Sequence, residues 1–397
     1  MTGRHGRTSA SGCSGSAVTS EPAAATRPRN RKQLIVEAAG RAFSERGYHA
    51  ASMEEIAAAV GITAAALYRH FPNKYALFTE CANVMADRLV AALDAVPPDA
   101  PAEAVLRPLA QVTVAHRESG GLYRWEARYL DRTDRRALSA KFAQVVARVT
   151  DVVRPSPDAE LRAVAALGAI GSITMHRTSI AHLRAENLLT ESALRLAAAT
   201  TTPAAPAVEL PAQPVPRTRR AQILAAAVPL FERDGFATVT NARIAEAVGL
   251  VPSALYRHFP NKAEILAAAC LQAAGLLSQA VEQNLHGTTG AEALPVLAAT
   301  YVAYSFEHTA LTNVAAAELG GLPAALQRPL ILAQREHIAV WEQQLRLARP
   351  DLDAHQARVL VHAGFGAVVE TGRRLRWEDT PGHRAAATAF LLSALGL

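Results

Sequence analysis

The chain is 397 residues long, too long for one helical domain and suited to two domains of about 150 to 200 residues. Half of it is apolar, carried by Ala, Leu and Val with only 5% aromatic residues, a composition of closely packed helices that excludes a β-rich fold. Three widely spaced cysteines, Cys13, Cys81 and Cys270, exclude a disulfide framework and a zinc site, and the net charge of +6 permits a polyanionic partner without demanding one.

In chain order, residues 1–28 are Ser-, Gly- and Arg-rich without apolar periodicity, which predicts a disordered tail containing Cys13 and no signal peptide. A helical segment over 29–90 follows. Ile35, Ala39, Ala42 and Phe43 form one apolar stripe, and Gly47 is placed to stop that helix in a left-handed conformation. Ser52 with Glu55 makes a capping box for a short second helix. Gly61 supplies a turn, Thr63 caps a third helix that Pro72 ends, and Asn73 caps a long fourth helix starting at Lys74. Residues 91–199 read as a helical core, with helices over 103–117, 133–153, 158–185 and 190–199. Residues 200–216, with prolines at 203, 206, 211, 214 and 216, predict an extended linker. The pattern then restarts, with a second short-helix segment at 217–278 and a second helical core at 279–397.

The restart is a duplication. The run Ala66–Lys74 (ALYRHFPNK) recurs unchanged as Ala254–Lys262, and without gaps this pairs Ile35 with Ile223, Phe43 with Phe231, Gly47 with Gly235, and Ile56 with Ile244. Weaker pairs continue beyond it: Leu130 with Leu322, Arg136 with Arg328, and Leu138 with Leu330. The basic excess is confined to the duplicated segments, since Arg29–Phe78 and Arg217–Leu266 each carry seven Lys or Arg against four Asp or Glu. The apolar run Ile265–Val281 is broken by Gln272, Ser278 and Gln279 and reads as a buried helix of a cytoplasmic protein, not as a membrane span.

A short helix, a glycine turn and a second short helix is an arrangement that lays one helix across a phosphate backbone and inserts the next into the major groove. Its two occurrences are 52–71 and 240–259. In the first, Ile56, Val60, Ile62 and Leu67 pin the helices while Ala64, Ala65 and Arg69 face outward; Tyr68, Lys74 and the helix start at Ser52 offer donors to phosphate oxygens. These residues, with Gly61, Phe71 and Asn73, resemble the signature of the TetR/AcrR family of bacterial regulators, and Ile244–Lys262 resembles it again. The resemblance implies an all-α chain of two tandem units, each a three-helix helix-turn-helix domain followed by a dimerising, effector-binding core. It implies phosphate contacts from Tyr68, Lys74, Tyr256 and Lys262, groove contacts near Thr63, Ala64, Ala65 and Arg69 and at Val251, Pro252, Ser253 and Arg257, and a DNA-facing position for the helix starts at Ser52 and Thr240.

The second copy departs at the reading helix, where Val251 and Pro252 replace the capping Thr63 and its neighbour, and Arg243 replaces the Glu55 of the capping box. The basic stretches at 29–32 and 217–220 are expected to follow the DNA backbone or minor groove. The chain is therefore expected to be a sequence-specific DNA-binding regulator, a repressor controlled by a small apolar effector, with no cofactor and no metal. The competing reading makes the second copy a dimerisation and sensing module that does not touch DNA. An enzyme is excluded by the lack of any phosphate-loop, dinucleotide, zincin or nucleophile-elbow motif. Trp125, Arg128, Tyr129, Met175 and His176 in copy one, and Phe306, His337, Trp341 and Phe365 in copy two, are the candidate pocket residues. The fusion predicts either an intramolecular pseudo-dimer on an imperfect palindrome of double-stranded DNA or a homodimer of tandem chains.

Overall fold

The computed structural model describes residues 31–118, 121–122, 129–153, 157–200, 205–212, 215–318 and 322–397. The expected tail, Trp125 and Arg128 lie outside the described residues. All described regular structure is helical. The first copy contains α1 (Arg31–Ala50), α2 (Met53–Ala59), α3 (Ala64–Tyr68), α4 (Lys74–Asp94), α5 (Ala102–Ala115), α6 (Arg132–Val153), α7 (Ala159–Gly171) and α8 (His182–Ala198). The second contains α9 (Arg219–Asp234), α10 (Asn241–Ala247), α11 (Pro252–Leu255), α12 (Lys262–Asn284), α13 (Ala293–Glu307), α14 (Thr309–Glu318), α15 (Ala324–Ala348), α16 (Ala354–Arg374) and α17 (Pro381–Leu395). The expected helix over 158–185 ends at Gly171, and a single 3-10 turn, Ser172–Met175, leads into extended backbone before α8.

Each copy begins with a small three-helix domain whose core is drawn from paired positions. Ile35, Phe43, Ile56, Leu67 and Phe78 are buried in the first, and Ile223, Phe231, Ile244, Leu255 and Leu266 in the second. These cores are not closed by their own helices. Leu130 and Leu138 complete the first, and Leu322 and Leu330 complete the second, so the aligned leucines tie each small domain to the segment that follows it. α4 runs through both layers, with Phe78 and Ala82 in the small domain and Leu89 and Leu93 in the main core.

The remaining helices apart from α14 share one continuous apolar core, in place of the separate cores that length alone suggests. α7 and α8 of the first copy pack against α16 and α17 of the second. The crossing point is backbone on backbone: a Cβ on Gly168 would lie 2.4 Å from the Gly366 carbonyl oxygen, and one on Gly366 would lie 2.3 Å from that of Gly168. No side chain fits there, so glycine at both positions sets how closely the helices approach. At the far end, Arg195 donates to the carbonyls of Ser393 and Ala394, and Arg349 donates to that of Leu395. Two guanidinium groups thus cap the C-terminus of α17, one from each copy, where the helix dipole favours a cation. Half-way along the linker, Glu209 exchanges two hydrogen bonds with the side chain of Asn284 at the end of α12, at 3.1 and 2.8 Å.

The two sides of this interface differ in charge. Glu160 forms a paired contact with Arg374 across it, at 2.8 and 2.6 Å. Arg358 is held by Glu342 of its own copy, and His176 stacks on His362 with ring centroids 4.0 Å apart. The Thr178 N–H donates to His176 Nδ1, so the neutral ring keeps its proton on Nε2, which is buried without a partner.

Burial, the facing His362 and the charges of Arg117 and Arg358 hold His176 well below the usual imidazole range. Burial and then Arg358 push His362 down to about 4. The unfolded chain binds protons at these groups from about pH 6.5 downward while the folded chain refuses them, so stability rises with pH between about 4 and 6.5. Melting temperatures measured from pH 7 to pH 5 should fall by the equivalent of about 1.4 kcal/mol per histidine per pH unit inside that window. His362→Phe should flatten the dependence, and an equally steep profile in that variant would contradict the assignment.

Candidate nucleic-acid interface

In both copies the turn between the two short helices is built alike. Gly61 and Gly249 each take φ +66°, a left-handed conformation that closes the turn without a Cβ penalty. Ser52 caps α2 with the expected reciprocal box, its hydroxyl accepting from the Glu55 N–H while the Glu55 carboxylate accepts from the Ser52 N–H. In the second copy Thr240 still caps α10, accepting from the Arg243 N–H at 3.3 Å. Arg243 has a different task. Arg46 pairs with Glu55 at 2.6 Å in the first copy, and at the two matching positions Asp234 pairs with Arg243 at 2.9 Å with the signs exchanged. The box residue is lost, but the tie between the first and second helices survives by a charge swap, which aligned opposite charges at both positions would have revealed.

The reading helices α3 and α11 both present an outward face. Tyr68 and Tyr256 are 46% and 54% exposed, and Val251 is 62% exposed. Ala65, Arg69, Pro252, Ser253 and Arg257 are also exposed, and Ala64 is half-buried. The Thr63 hydroxyl accepts from the Ala66 N–H at 3.2 Å, whereas Val251 offers no side-chain cap and Pro252 occupies the first helical position, where its missing N–H costs nothing.

Both lysines are engaged by carbonyls of their own domains. Lys74 donates to the His49 carbonyl at 3.1 Å above the Tyr48 ring, and desolvation lowers its pKa. Lys262 donates to three carbonyls, of Phe236, Ala237 and Val239, at 2.6, 2.9 and 3.0 Å, above the Phe236 ring. An ammonium has three donors, so Lys262 is saturated by the loop between α9 and α10. The basic helix starts are likewise drawn in. Lys32 pairs with Glu80 and lies over Phe71, and Arg220 lies over Phe259 at 3.9 Å while donating to the His258 carbonyl. These cations clamp the first helix of each domain to the end of its reading helix.

The candidate pocket residues scatter. Tyr129 stacks on Tyr48 and packs into the first small domain, Met175 is exposed, and His176 belongs to the interface stack. In the second copy Phe306 packs against Trp377, and Tyr301, His337, Trp341 and Phe365 form one aromatic cluster. Of these, His337 lines a cavity of about 750 Å³, together with Tyr301, which sequence reasoning missed. A smaller cavity of about 260 Å³ lies in the first copy, walled by Leu109, Phe142 and Ile170, and by Glu370 and Arg373 of the second. Cys81 and Cys270 are buried thiols whose pKa burial raises, Cys270 to about 12, which keeps both protonated.

Comparison with known proteins matches one family model to both small domains. The family model for bacterial regulatory proteins of the tetR family matches residues 35–81 and again 223–269. The HTH-type transcriptional activator FasR of Mycolicibacterium smegmatis is 42% identical over 64 residues, 16% of this chain and 29% of that protein. The nucleoid occlusion factor SlmA of Alteromonas mediterranea is 49% identical over 47 residues, 12% of this chain and 24% of that protein. The chain thus spans under a third of the length of these relatives. A TetR-family transcriptional regulator from Bordetella parapertussis is similar in structure at 24% identity and a TM-score of 0.39, over 44% of this chain and 93% of that one.

Replacing Lys262 with Ala leaves three loop carbonyls without their donor. The expected loss is about 1–3 kcal/mol of stability, read by thermal melting. An unchanged melting curve would contradict a clamping role.

Proposed function

We infer that this chain, which carries two tetR-family helix-turn-helix segments in tandem, is a DNA-binding transcriptional regulator that works as an intramolecular pseudo-dimer and represses until a small apolar effector is bound. The observation that carries the reading is the pair of exposed helices, α3 and α11, fixed to one shared core within a single chain. Two heads carried by one core suit two half-sites on one face of a duplex. The heads offer Thr63, Ala64 and Ala65 against Val251, Pro252 and Ser253, so the half-sites should differ: Ala and Val favour thymine methyls, whereas Thr and Ser hydrogen-bond to bases or phosphate. Phosphate contact falls to Tyr68, Tyr256 and the helix starts, with the lysines acting through the fold. The smaller domains lie within 29–90 and 217–278, and the cores within 91–199 and 279–397. This setting places the chain in the cytoplasm with its DNA.

The contact between the copies joins opposite charges, Glu160 of the first with Arg374 of the second, which supports pairing within one chain.

Selection from a random-sequence DNA pool should yield a site with two unequal halves whose affinity falls steeply with salt. Substituting Thr63→Val, Ala64→Pro and Ala65→Ser together gives copy one the reading residues of copy two and should make the selected site symmetric. A symmetric site from the unaltered chain would contradict the pseudo-dimer reading. A single half-site would instead leave the second copy as a sensing module only.

A further inference from the structure

The two copies differ most at the seam between the long fourth helix and its neighbour. The pairing that matches Lys74 with Lys262 matches Asn83 and Asp87 of α4 with Leu271 and Gly275 of α12. The pairing of Leu138 with Leu330 matches Lys141 of α6 with Ala333 of α15. In the first copy Lys141 reaches Asp87 at 2.5 Å and Asn83 at 2.8 Å, and so clamps α6 onto α4. In the second copy all three positions are uncharged, two of them are small, and all three line the 750 Å³ cavity between α12, α13, α14 and α15. α12 carries the same signal along its length. Among the described residues it is the one helix apolar and long enough to cross a membrane, yet only 39% of its most apolar stretch is buried, so it is not the buried helix its sequence suggests. Its uncovered apolar side fronts the cavity.

The cavity wall has a definite chemistry. Tyr301, Tyr304 and His337 supply ring surface, the exposed carboxylates of Glu282 and Glu336 stand at its rim, and its described lining contains no Lys or Arg. The Trp341 indole N–H can only donate, and it lies 3.2 Å from His337 Nε2, which therefore accepts and leaves the ring proton on Nδ1. Enclosure of the ring lowers the His337 pKa to about 4, so this wall stays neutral.

Resting on the reading of the chain as an effector-controlled regulator, we propose that this cavity is a binding site for one hydrophobic cation per chain, and that the Lys141 clamp closes the matching seam of the first copy. Aromatic faces and two carboxylates attract a cation and repel acids, acyl-phosphates and coenzyme A conjugates. The 260 Å³ cavity of the first copy lies elsewhere, against α16, and is too small for the same molecule. A ligand wedged beside α12 acts on the helix whose first residue, Lys262, holds the α9–α10 loop, so the second head is the one that moves.

Tetraphenylphosphonium and tetraphenylborate have the same shape and opposite charge. Calorimetric titration of the full chain should give one phosphonium per chain, bound at least ~10-fold more tightly than the borate. Gly275→Asp with Ala333→Lys transplants the clamp of copy one, and a Cβ at Gly275 meets nothing within 4 Å, so this variant should melt normally while losing phosphonium binding. Glu282→Gln with Glu336→Gln should bring the two affinities together. Two phosphonium ions per chain, a borate bound as tightly, or binding that survives the clamp in a folded variant would overturn the proposal. DNA binding by the ligand-free chain is measured alongside: retained DNA binding without phosphonium binding sinks this inference alone, and absent DNA binding sinks the proposed function.

Discussion

The contact of two peptide backbones at Gly168 and Gly366 is the constraint on which the rest of the molecule depends. Helices can meet at that distance only where neither carries a Cβ, and one glycine comes from each copy. Their crossing merges two cores into one and fixes the small domains to a common body. It also brings Glu160 of the first copy against Arg374 of the second and His176 against His362, so the interface is asymmetric in charge.

That asymmetry is the physical consequence of fusion. A homodimer must satisfy every contact twice with the same residue types, whereas a fused pair is free to let its halves diverge. Divergence appears at three levels here. The ion pair linking the first two helices exchanges its signs between copies, Arg46 with Glu55 and Asp234 with Arg243. The reading helices differ in cap and in outward residues. The seam beside the long helix is clamped by Lys141 in one copy and open in the other. Our reading assigns these differences to two unequal half-sites and one sensing cavity.

Much of this was legible in the sequence because the signals are local. The caps at Ser52, Thr63, Asn73 and Thr240 and the turns at Gly61 and Gly249 depend on residues within a few positions, and the structure forms each of them. What the sequence hid is what depends on distant partners. A lysine at the start of a long helix is equally suited to a phosphate or to a loop carbonyl, and only the fold brings the carbonyls of Phe236, Ala237 and Val239 to Lys262. Aromatic residues scattered through the cores do not reveal which of them front a void, so Tyr301 was missed while Phe306 and Trp341 were counted. Gly168 lies in an apolar helical run, but that its partner would be Gly366 of the other copy follows only from the assembled core.

The account turns on one chain supplying both heads of a reading unit. The most direct test is the mass of the particle, by sedimentation or native mass spectrometry, of the free protein and of its complex with a selected duplex. The account predicts a single chain of 42.1 kDa in solution and one such chain on each duplex. Two chains on one duplex, at concentrations where the free protein is a single chain, would contradict it.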